Sequence, residues 1–263
     1  MLKICTVYFK GLYSPDYVSN IYRGLKKHSS VPFEFICLSD TKDIEADVIL
    51  PYNHHSDVVK HWHKLKFFSP QFAYQNPNDD IIIMDIDQII VNNIDDMLKW
   101  PVKENELLTY GQWWNTKLKS DGKINTETDK VILPFNGGFY KFKSGSLKFI
   151  WDDFIKNPNY WQLHFYNTGE VHVKYYGEQN YVFCKLLEYK SKITTTPEKW
   201  IATYTDNYNQ NLELNKLYAK KFNTDYMIFD NVNDNIKIIH FSGVNKKINI
   251  SKHKFIKENW YGC

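Results

Sequence analysis

Short apolar runs alternate with amphipathic segments along the amino-terminal part of the chain. The runs predict strands at residues 2–9, 33–38, 48–50 and 81–84, and the β-branched run at 81–84 has the composition of a strand that is buried on both faces. Apolar residues at helical spacing predict a helix that opens at Ser14-Pro15-Asp16, with Ser14 as the N-cap, Pro15 at the first helical position and Asp16 as an early acid. They predict another helix at 56–74, which Pro70 kinks or ends. Strands that alternate with helices predict an α/β fold.

The same alternation continues through the rest of the chain, with one polar interruption. We predict a short helix around Met97 and Leu98, a strand at 107–110, a helix at 147–155, a helix after Gly177 and a strand at 236–240. Residues 111–130 are polar and lack periodicity, which predicts a surface insertion or a loop able to close over a ligand. Since no linker, repeat or low-complexity tract interrupts the pattern, we expect one domain over residues 1–263.

Asp85 and Asp87 directly follow the buried strand and are separated by Ile86. Alternate residues of a strand point to the same side, so the two carboxylates converge and repel each other unless a cation lies between them. Hard divalent ions such as Mg²⁺ and Mn²⁺ prefer oxygen ligands and often retain substrate phosphates in their coordination shell. The end of such a strand is also where open α/β sheets bind ligands. The pair indicates a metal site, and the alternative is a polar turn that closes a core strand.

The amino-acid composition indicates which classes of binding partner and metal site to expect. The chain carries a formal net charge of +3, and Arg23 is its only arginine. Because arginine makes most bidentate contacts to bases and phosphates, we expect no nucleic-acid partner. The four cysteines are scattered without a CxxC pair, which argues against structural zinc and against a disulfide framework. The dense histidines His54, His55, His61 and His63 lack cysteine or acidic residues at ligand spacing, so we interpret them as packing or solvated residues.

The first residues enter a strand pattern without the basic and apolar regions of a signal peptide, and no apolar stretch is long enough to span a bilayer. We therefore expect a cytoplasmic enzyme of a bacterium or of a virus in its host, without a membrane anchor. Peripheral contact with a membrane through a surface patch is compatible with this expectation. The aromatic content of 17% fits an aromatic core, which we favour, or stacking on sugars and nucleotides.

Five short motifs, taken in order, resemble the GT-A fold glycosyltransferases, most closely glycosyltransferase family 8 with its galactosyltransferases and glycogenin. They lie at 62–66, 85–87, 136–138, 178–179 and 240–246, and therefore extend over most of the chain. The resemblance implies a Rossmann-like α/β domain with a central mixed, mostly parallel sheet flanked by helices. It also implies transfer of a hexose from a nucleotide-diphosphate sugar, expected to be UDP-linked, to a hydroxyl of a glycan, lipid or protein, with retention.

The resemblance assigns metal and phosphate roles to particular residues. Asp85 and Asp87 match the family's DxD motif, whose carboxylates hold Mn²⁺ or Mg²⁺ against the diphosphate of the UDP-sugar, and His240 matches the third metal ligand. A neutral imidazole is a good ligand for Mn²⁺. Gly243 would let backbone amides approach phosphate oxygens, and Lys246 would offset the phosphate charge.

The first strand and the DxD motif supply further donor-binding positions. Thr6, Val7 and Tyr8 match the strand end at which the family binds uracil and ribose. Asp40 is a second position near the base, and Ile86 lies inside the DxD motif. These five positions are expected to contact the nucleotide.

The remaining matched residues surround the sugar in the resembled enzymes. Lys64 matches a basic residue that faces the donor, and Asn136 and Gly138 match an N-x-G turn that contacts the donor sugar. The alternatives are an exposed lysine and a glycine-rich hairpin. Glu178 and Gln179 align with the family's Asp-Gln pair, in which the carboxylate binds sugar hydroxyls and the glutamine lies near the anomeric carbon. The resemblance therefore implies that these two are the catalytic residues, with Gln179 in sugar positioning or oxocarbenium stabilisation. Glu178 is one methylene longer than the usual acid, which changes its reach.

Three other functions compete with the transferase. A haloacid-dehalogenase-type phosphatase also uses DxD after an apolar strand, but its motif opens the chain and is followed by Thr or Val at the place held here by Ile89. A sugar nucleotidyltransferase needs a glycine-rich, arginine-containing loop after the first strand, which Lys10-Gly11-Leu12 does not supply. A non-catalytic glycan-binding module is the main alternative, and metal-dependent binding of UDP separates it from the transferase.

Overall fold

The computed structural model describes residues 1–52, 54–111, 124–125, 130–131, 135–167, 177–197, 200–204, 235–241 and 254–262. Within them the strands are β1 (Leu2–Tyr8), β2 (Glu34–Ser39), β3 (Val48–Pro51), β4 (Asp80–Met84), β5 (Gln88–Ile90), β6 (Glu106–Gly111), β7 (Ile124–Asn125), β8 (Lys130–Val131), β9 (Phe135–Lys143), β10 (Lys192–Thr195), β11 (Ile201–Tyr204) and β12 (Ile238–Phe241). The helices are α1 (Asp16–His28), α2 (Asp95–Lys99), α3 (Phe149–Phe154), α4 (Pro158–Asn167), α5 (Glu178–Glu188), α6 (Lys254–Asn259) and a 3₁₀ helix (Lys60–Phe68).

A seven-stranded sheet in the order β10-β6-β9-β4-β1-β2-β3 forms the centre of the fold. β1 lies between β4 and β2 and runs parallel to both, and the β2–β3 and β10–β6 pairs are also parallel. β9 is antiparallel to both of its neighbours, β4 and β6. The predicted α/β fold with a mixed, mostly parallel central sheet is confirmed.

Successive residues of β4 enter two different hydrophobic cores. Ile82 and Met84 pack in the core that contains α1, whereas Ile81 and Ile83 pack in the core formed with the 3₁₀ helix, α3 and α5. Because neighbouring side chains of a strand point to opposite faces, a continuous apolar run is required when both faces are covered. The prediction of a strand buried on both faces is confirmed.

A second sheet brings distant parts of the chain to the end of β4. It has the order β11-β12-β5, with β12 parallel to β11 and antiparallel to β5. His240 of β12 stands opposite Gln88 of β5, and the Phe241 N–H donates to the Asp87 carbonyl at 2.9 Å. The pairing therefore places His240 beside the residues that follow β4.

The helix predicted at 56–74 is wrong in length and type, since only Lys60–Phe68 is helical and it is a 3₁₀ helix. Val59 before it is extended, and Lys60 has a φ of 48°. Ala73 and Tyr74 also have positive φ, at 61° and 48°. A residue in the left-handed region interrupts helical hydrogen bonding, so the apolar spacing of this segment is not continued as a helix.

The start of α1 also differs from the prediction in one detail. The helix begins at Asp16 as expected, but the Ser14 hydroxyl donates to the Asp16 carboxylate at 3.1 Å and does not accept a backbone N–H. Pro15 already has helical φ and ψ, of −53° and −27°. These angles suit a proline at the first helical position, as predicted, and the difference is that the Ser14 hydroxyl binds the first-turn acid.

The structure describes only short parts of the insertion predicted at 111–130. Gly111 ends β6, and β7 pairs with β8 in antiparallel orientation, while the rest of the insertion predicted at 111–130 lies outside the described residues. The single domain over residues 1–263 stays a prediction. Among the helices in the described ranges, none has the length and hydropathy needed to cross a bilayer.

Gly24 occupies an interior position of α1 with room for a methyl group. A Cβ built there would lie 3.5 Å from Ile90 Cβ and 3.5 Å from Tyr261 Cδ2, which is ordinary van der Waals contact. Glycine inside a helix is less stable than alanine by about 0.5–1 kcal/mol. We expect Gly24→Ala to raise the free energy of unfolding by about that amount in urea denaturation. A decrease would contradict the observed packing of α1 on β5.

Candidate active site

Backbone hydrogen bonds from two other strands fix the aspartate pair at the end of β4. The Asp85 N–H donates to the Gly138 carbonyl of β9 at 3.0 Å, and the Asp87 carbonyl accepts from Phe241 of β12 at 2.9 Å. The Asp85 side chain is 32% exposed and the Asp87 side chain 15% exposed. Both carboxylates are therefore partly buried where β4, β9 and β12 meet.

Asp85, Asp87 and His240 each offer a ligand atom, and these atoms all lie within 4.8 Å of one another. His240 Nε2 is 3.8 Å from Asp87 Oδ1. Burial lowers the pKa of His240 to about 4, although the Asp85 charge opposes this, so the imidazole is neutral at pH 7. Two carboxylates and a neutral imidazole fit a divalent cation such as Mn²⁺. No other cluster of this kind occurs in the described ranges.

The electrostatics of the pair also favour a bound cation. Burial, together with the charge of Asp85, raises the pKa of Asp87 well above its usual range. The ionised form of Asp87 is thus unfavourable in the protein alone. A positive charge between the two carboxylates would offset both causes.

The ammonium group of Lys64 lies next to the aspartate pair and contacts three acceptors. Its Nζ is 2.6 Å from Asp85 Oδ1, 3.0 Å from Glu178 Oε1 and 3.1 Å from the Gly137 carbonyl. Burial lowers the pKa of Lys64, but the charges of Asp85 and Glu178 raise it by more, so its net shift is upward. The lysine is buried, in contrast to the exposed alternative, and it joins the 3₁₀ helix to β4, β9 and α5.

Asn136 and Gly138 lie in an irregular part of strand β9, not in the turn or hairpin that the sequence suggested. Asn136 pairs with Tyr110 whereas Tyr140 pairs with Thr109, so residues 137–139 bulge out of register with β6. The Asn136 Oδ1 accepts from the Gly138 N–H at 2.8 Å and stabilises this bulge. The motif is therefore a β-bulge next to the aspartates.

Both positions of this bulge leave little room for a side chain. A Cβ on Gly137 would lie 2.9 Å from Glu178 Oε1, and a Cβ on Gly138 would lie 3.0 Å from Gln88 Nε2 and 3.3 Å from His240 Nε2. These distances are shorter than ordinary carbon contacts. The bulge consequently approaches the polar side chains of the site closely only because it lacks side chains of its own.

Glu178 and Gln179 form the first turn of α5 and face the same bulge. The preceding Gly177 has a φ of +113°, which only glycine adopts readily. Gln179 Oε1 accepts from the Gly137 N–H at 2.9 Å, and Glu178 is buried in its contact with Lys64. The predicted sugar-side residues are thus brought together with the aspartate pair.

Two of the three β1 residues predicted to bind the nucleotide make hydrogen bonds inside the protein. Thr6 is buried and its hydroxyl donates to the Met84 carbonyl at 2.8 Å. Tyr8 is also buried, and its hydroxyl donates to the Tyr13 carbonyl at 3.1 Å. These two side chains link β1 to β4 and to the loop after β1, so they stabilise the backbone next to the site.

The other predicted nucleotide residues differ in exposure. Val7 is half-buried, Ile86 is buried, and Asp40 is exposed and accepts from the Lys10 N–H at 3.0 Å. Asp40 therefore lies near the loop that follows β1. Gly243 and Lys246 lie outside the described residues.

Several residues at the site are not recognisable from the sequence. The Tyr13 hydroxyl donates to Asp87 Oδ2 at 3.4 Å, and the exposed His61 lies over Gly177, with Nε2 2.8 Å from the position of a Cβ there. Among the described residues, both polar atoms of the buried Asn180 side chain lack a hydrogen-bond partner. The only signal in the sequence for Asn180 is that it follows Glu178 and Gln179.

The dense histidines pack against aromatic rings. His55 makes an edge contact with Trp151 at a ring separation of 5.3 Å, and His63 makes one with Tyr52 at 4.8 Å. Burial lowers the pKa of His63 to about 4. In the described part of the chain these histidines form no group with metal-ligand geometry.

No protein-family model matches the sequence, and no curated protein sequence matches it. Solved structures do match. WbbM, a bifunctional glycosyltransferase, aligns with 98% of this chain at 13% identity and a TM-score of 0.58. The glycosyltransferase GlyE of Streptococcus pneumoniae TIGR4 aligns with 99% at 11% identity and 0.58, and the galactosyltransferase LgtC, in complex with donor and acceptor sugar analogs, with 93% at 10% identity and 0.52.

The chain has the GT-A glycosyltransferase fold, as its motifs predict. It spans 48% of the WbbM chain, 60% of the GlyE chain and 88% of the LgtC chain. At these sequence identities the likeness establishes the fold, and the site residues carry the argument for function.

Proposed function

We propose that the chain is a metal-dependent glycosyltransferase that moves a hexose from a UDP-sugar to a hydroxyl group of a glycan, lipid or protein, with retention. The observation that carries the proposal is the convergence of Asp85, Asp87 and His240 within 4.8 Å, next to the glycine bulge of β9 and the first turn of α5. The similar solved structures are glycosyltransferases, and LgtC among them was solved in complex with donor and acceptor sugar analogs.

Asp85, Asp87 and His240 would hold the cation. Bound there, a divalent ion neutralises charge that develops on a leaving diphosphate. Mn²⁺ is favoured over Mg²⁺ because the donor set includes an imidazole, which is a poor ligand for the harder ion. The low pKa of His240 keeps its nitrogen available at neutral pH.

The residues around the metal ligands orient the sugar and hold the carboxylates. Lys64 holds Asp85 and Glu178 in one arrangement, and the oxygens of the Glu178 carboxylate are acceptors suited to sugar hydroxyls. Gln179 is oriented by its bond to the Gly137 N–H, beside the bulge that a sugar would contact. Neither residue is a strong nucleophile in this arrangement, so we assign both to positioning of the sugar.

A non-catalytic glycan-binding module with the same fold is the second candidate. Side chains that hold a sugar without transferring it would not need an aspartate pair with an unfavourable charge. The phosphatase alternative loses its support, since the DxD motif follows the fourth strand of a GT-A fold and not the first.

Thermal denaturation with UDP and Mn²⁺ tests the proposal without knowledge of the acceptor. A ligand that binds only the native state at a hundredfold excess over its Kd adds about 2.7 kcal/mol, which for a chain of this size raises the Tm by roughly 5–10 °C. We expect this shift with UDP and Mn²⁺ together, and little or none with UDP alone or with UDP, Mn²⁺ and excess chelator.

The outcomes separate the candidates. A shift that needs Mn²⁺ justifies a screen of UDP-sugars for hydrolysis and transfer. If no nucleotide changes the Tm, the transferase proposal fails. Sugar binding that persists in chelator would favour the glycan-binding module.

A further inference from the structure

Gln88 directly follows the aspartate pair and makes three buried hydrogen bonds. Its Nε2 donates to the Gly138 carbonyl at 2.6 Å, and its Oε1 accepts from the Tyr110 hydroxyl at 2.8 Å. Its own carbonyl accepts from Asn20 Nδ2 of α1 at 2.8 Å. Gln88 and Tyr110 are fully buried, so these bonds are shielded from water.

The Gly138 carbonyl is the point at which Gln88 and the aspartate pair meet. It accepts from the Asp85 N–H at 3.0 Å as well as from Gln88 Nε2. A carbonyl oxygen has two lone pairs, so the two donors satisfy it completely. The orientation of this peptide group consequently sets both the path of the glycine bulge and the position of Asp85.

A carboxamide is well suited to this place. It must donate to a carbonyl on one side and accept from a phenol on the other, which an apolar side chain cannot do and an ionised carboxylate does only in part. Losing the carboxamide would leave the Gly138 carbonyl short of one donor and the Tyr110 hydroxyl without its acceptor, both in a buried environment. The bulge would then relax.

We propose that Gln88 is a positioning residue for the donor site, and that its carboxamide holds the Gly138 peptide so that the metal ligands and the glycine bulge keep one relative arrangement. This rests on the proposed function, because the affected ligand is a divalent cation with the diphosphate of a nucleotide. His240 pairs with Gln88 across β5 and β12, so the same residue also borders the third metal ligand.

Gln75 provides a matched control at the opposite end of the central sheet. Its Nε2 donates to the carbonyls of Phe67 and Ser69 at 2.8 and 3.1 Å, and its Oε1 accepts from the Ser144 hydroxyl at 3.0 Å. Gln75 thus makes the same types of hydrogen bond near the start of β4, away from the aspartate pair. Replacing either glutamine by methionine removes the hydrogen bonds of the carboxamide, keeps those of the backbone and nearly conserves the side-chain volume.

The test compares Gln88→Met and Gln75→Met with wild type in two assays. Mn²⁺ binding is measured from the electron paramagnetic resonance signal of free Mn²⁺, and UDP binding at saturating Mn²⁺ is measured by calorimetry. Loss of an outer-shell partner typically weakens metal binding by about 10–100-fold. We expect at least a tenfold loss for Gln88→Met and no more than a twofold change for Gln75→Met. Tm values of both variants show whether their losses of stability are comparable.

Tyr110→Phe gives a second measurement that keeps Gln88 and removes only the hydroxyl that orients it. We expect about a fivefold loss of Mn²⁺ affinity, and no additional loss when Tyr110→Phe is combined with Gln88→Met. Wild-type affinity in Gln88→Met or Tyr110→Phe, with binding intact in wild type, would overturn the role of Gln88 alone. Absence of Mn²⁺ and UDP binding in wild type would overturn the proposed function and this inference together.

Discussion

Replacing Asp87 by asparagine is expected to abolish Mn²⁺-dependent binding of UDP and at the same time to make the metal-free protein more stable. The substitution keeps the size of the side chain and an oxygen that the Tyr13 hydroxyl can reach, but it removes one of the two carboxylates that would hold the cation. Since the cation offsets charge in the reaction, we expect activity to fall by about a thousandfold or more.

The gain in stability follows from the raised pKa of Asp87. A group whose pKa is higher in the folded protein contributes stability below its unfolded pKa, and this contribution is lost as the pH rises through the folded pKa. The ionised pair is therefore unfavourable at pH 7, because burial and Asp85 disfavour the charge on Asp87. A gain of about 1 kcal/mol would raise the Tm of metal-free Asp87→Asn by roughly 2–4 °C.

A pH series provides the control for this prediction. Below about pH 3.9, where Asp87 is protonated in both the folded and unfolded wild type, the difference in Tm between wild type and Asp87→Asn should disappear. A metal-free variant that is less stable than wild type at pH 7 would contradict the unfavourable charge. Retention of the Mn²⁺-dependent UDP shift would contradict the metal site itself.

Lys64→Met is expected to destabilise the protein more than any of the glutamine, tyrosine or aspartate substitutions above. Lys64 is buried between Asp85 and Glu178, so its removal leaves two carboxylates without their counter-charge. Breaking a buried ion pair by removing one partner typically costs about 3–5 kcal/mol. We expect a loss of that order in the free energy of unfolding, measured in urea at pH 7, and loss of UDP binding because Glu178 and Asp85 move apart.

The direction of the pKa shift gives the pH range of this effect. The net upward shift of the Lys64 pKa means that its stabilisation is fully present below the unfolded value of about 10.4 and is lost only as the pH rises through the folded pKa. The destabilisation should accordingly be complete throughout neutral pH.

A second substitution distinguishes charge from packing. In Lys64→Met combined with Glu178→Gln, one of the two stranded charges is removed, and we expect the double variant to be more stable than Lys64→Met alone. If the two substitutions add without such recovery, the contact between Lys64 and Glu178 contributes no coupling and the role given to Lys64 is wrong. Neither variant is expected to recover UDP binding.

The strand β4 could be predicted because the signal for it lies in the strand's own residues. A continuous apolar run satisfies two cores at once, and Asp85 and Asp87 must then emerge at its end. His240 could be associated with this pair only through the family resemblance. Its position depends on the antiparallel pairing of β12 with β5, which joins segments far apart in the sequence and has no local signature.

The structure around Lys64, by contrast, could not be predicted from the residues of that segment alone. Apolar spacing indicated a long helix, but positive φ values at Lys60, Ala73 and Tyr74 limit the helical part to a 3₁₀ helix. The burial of Lys64 is equally hidden in the sequence, since a lysine is buried only when acceptors from other elements surround it. Those acceptors come from β4, β9 and α5.

The ion cluster around Lys64 also sets the order in which ligands can enter. Three acidic side chains, Asp85, Asp87 and Glu178, surround the single ammonium of Lys64, and His240 beside them is neutral, so acidic groups outnumber cationic ones in this cluster. A diphosphate approaching this cluster is repelled, whereas a divalent cation offsets its negative charge. Binding is therefore expected to be sequential, with the metal ion entering first and the nucleotide second.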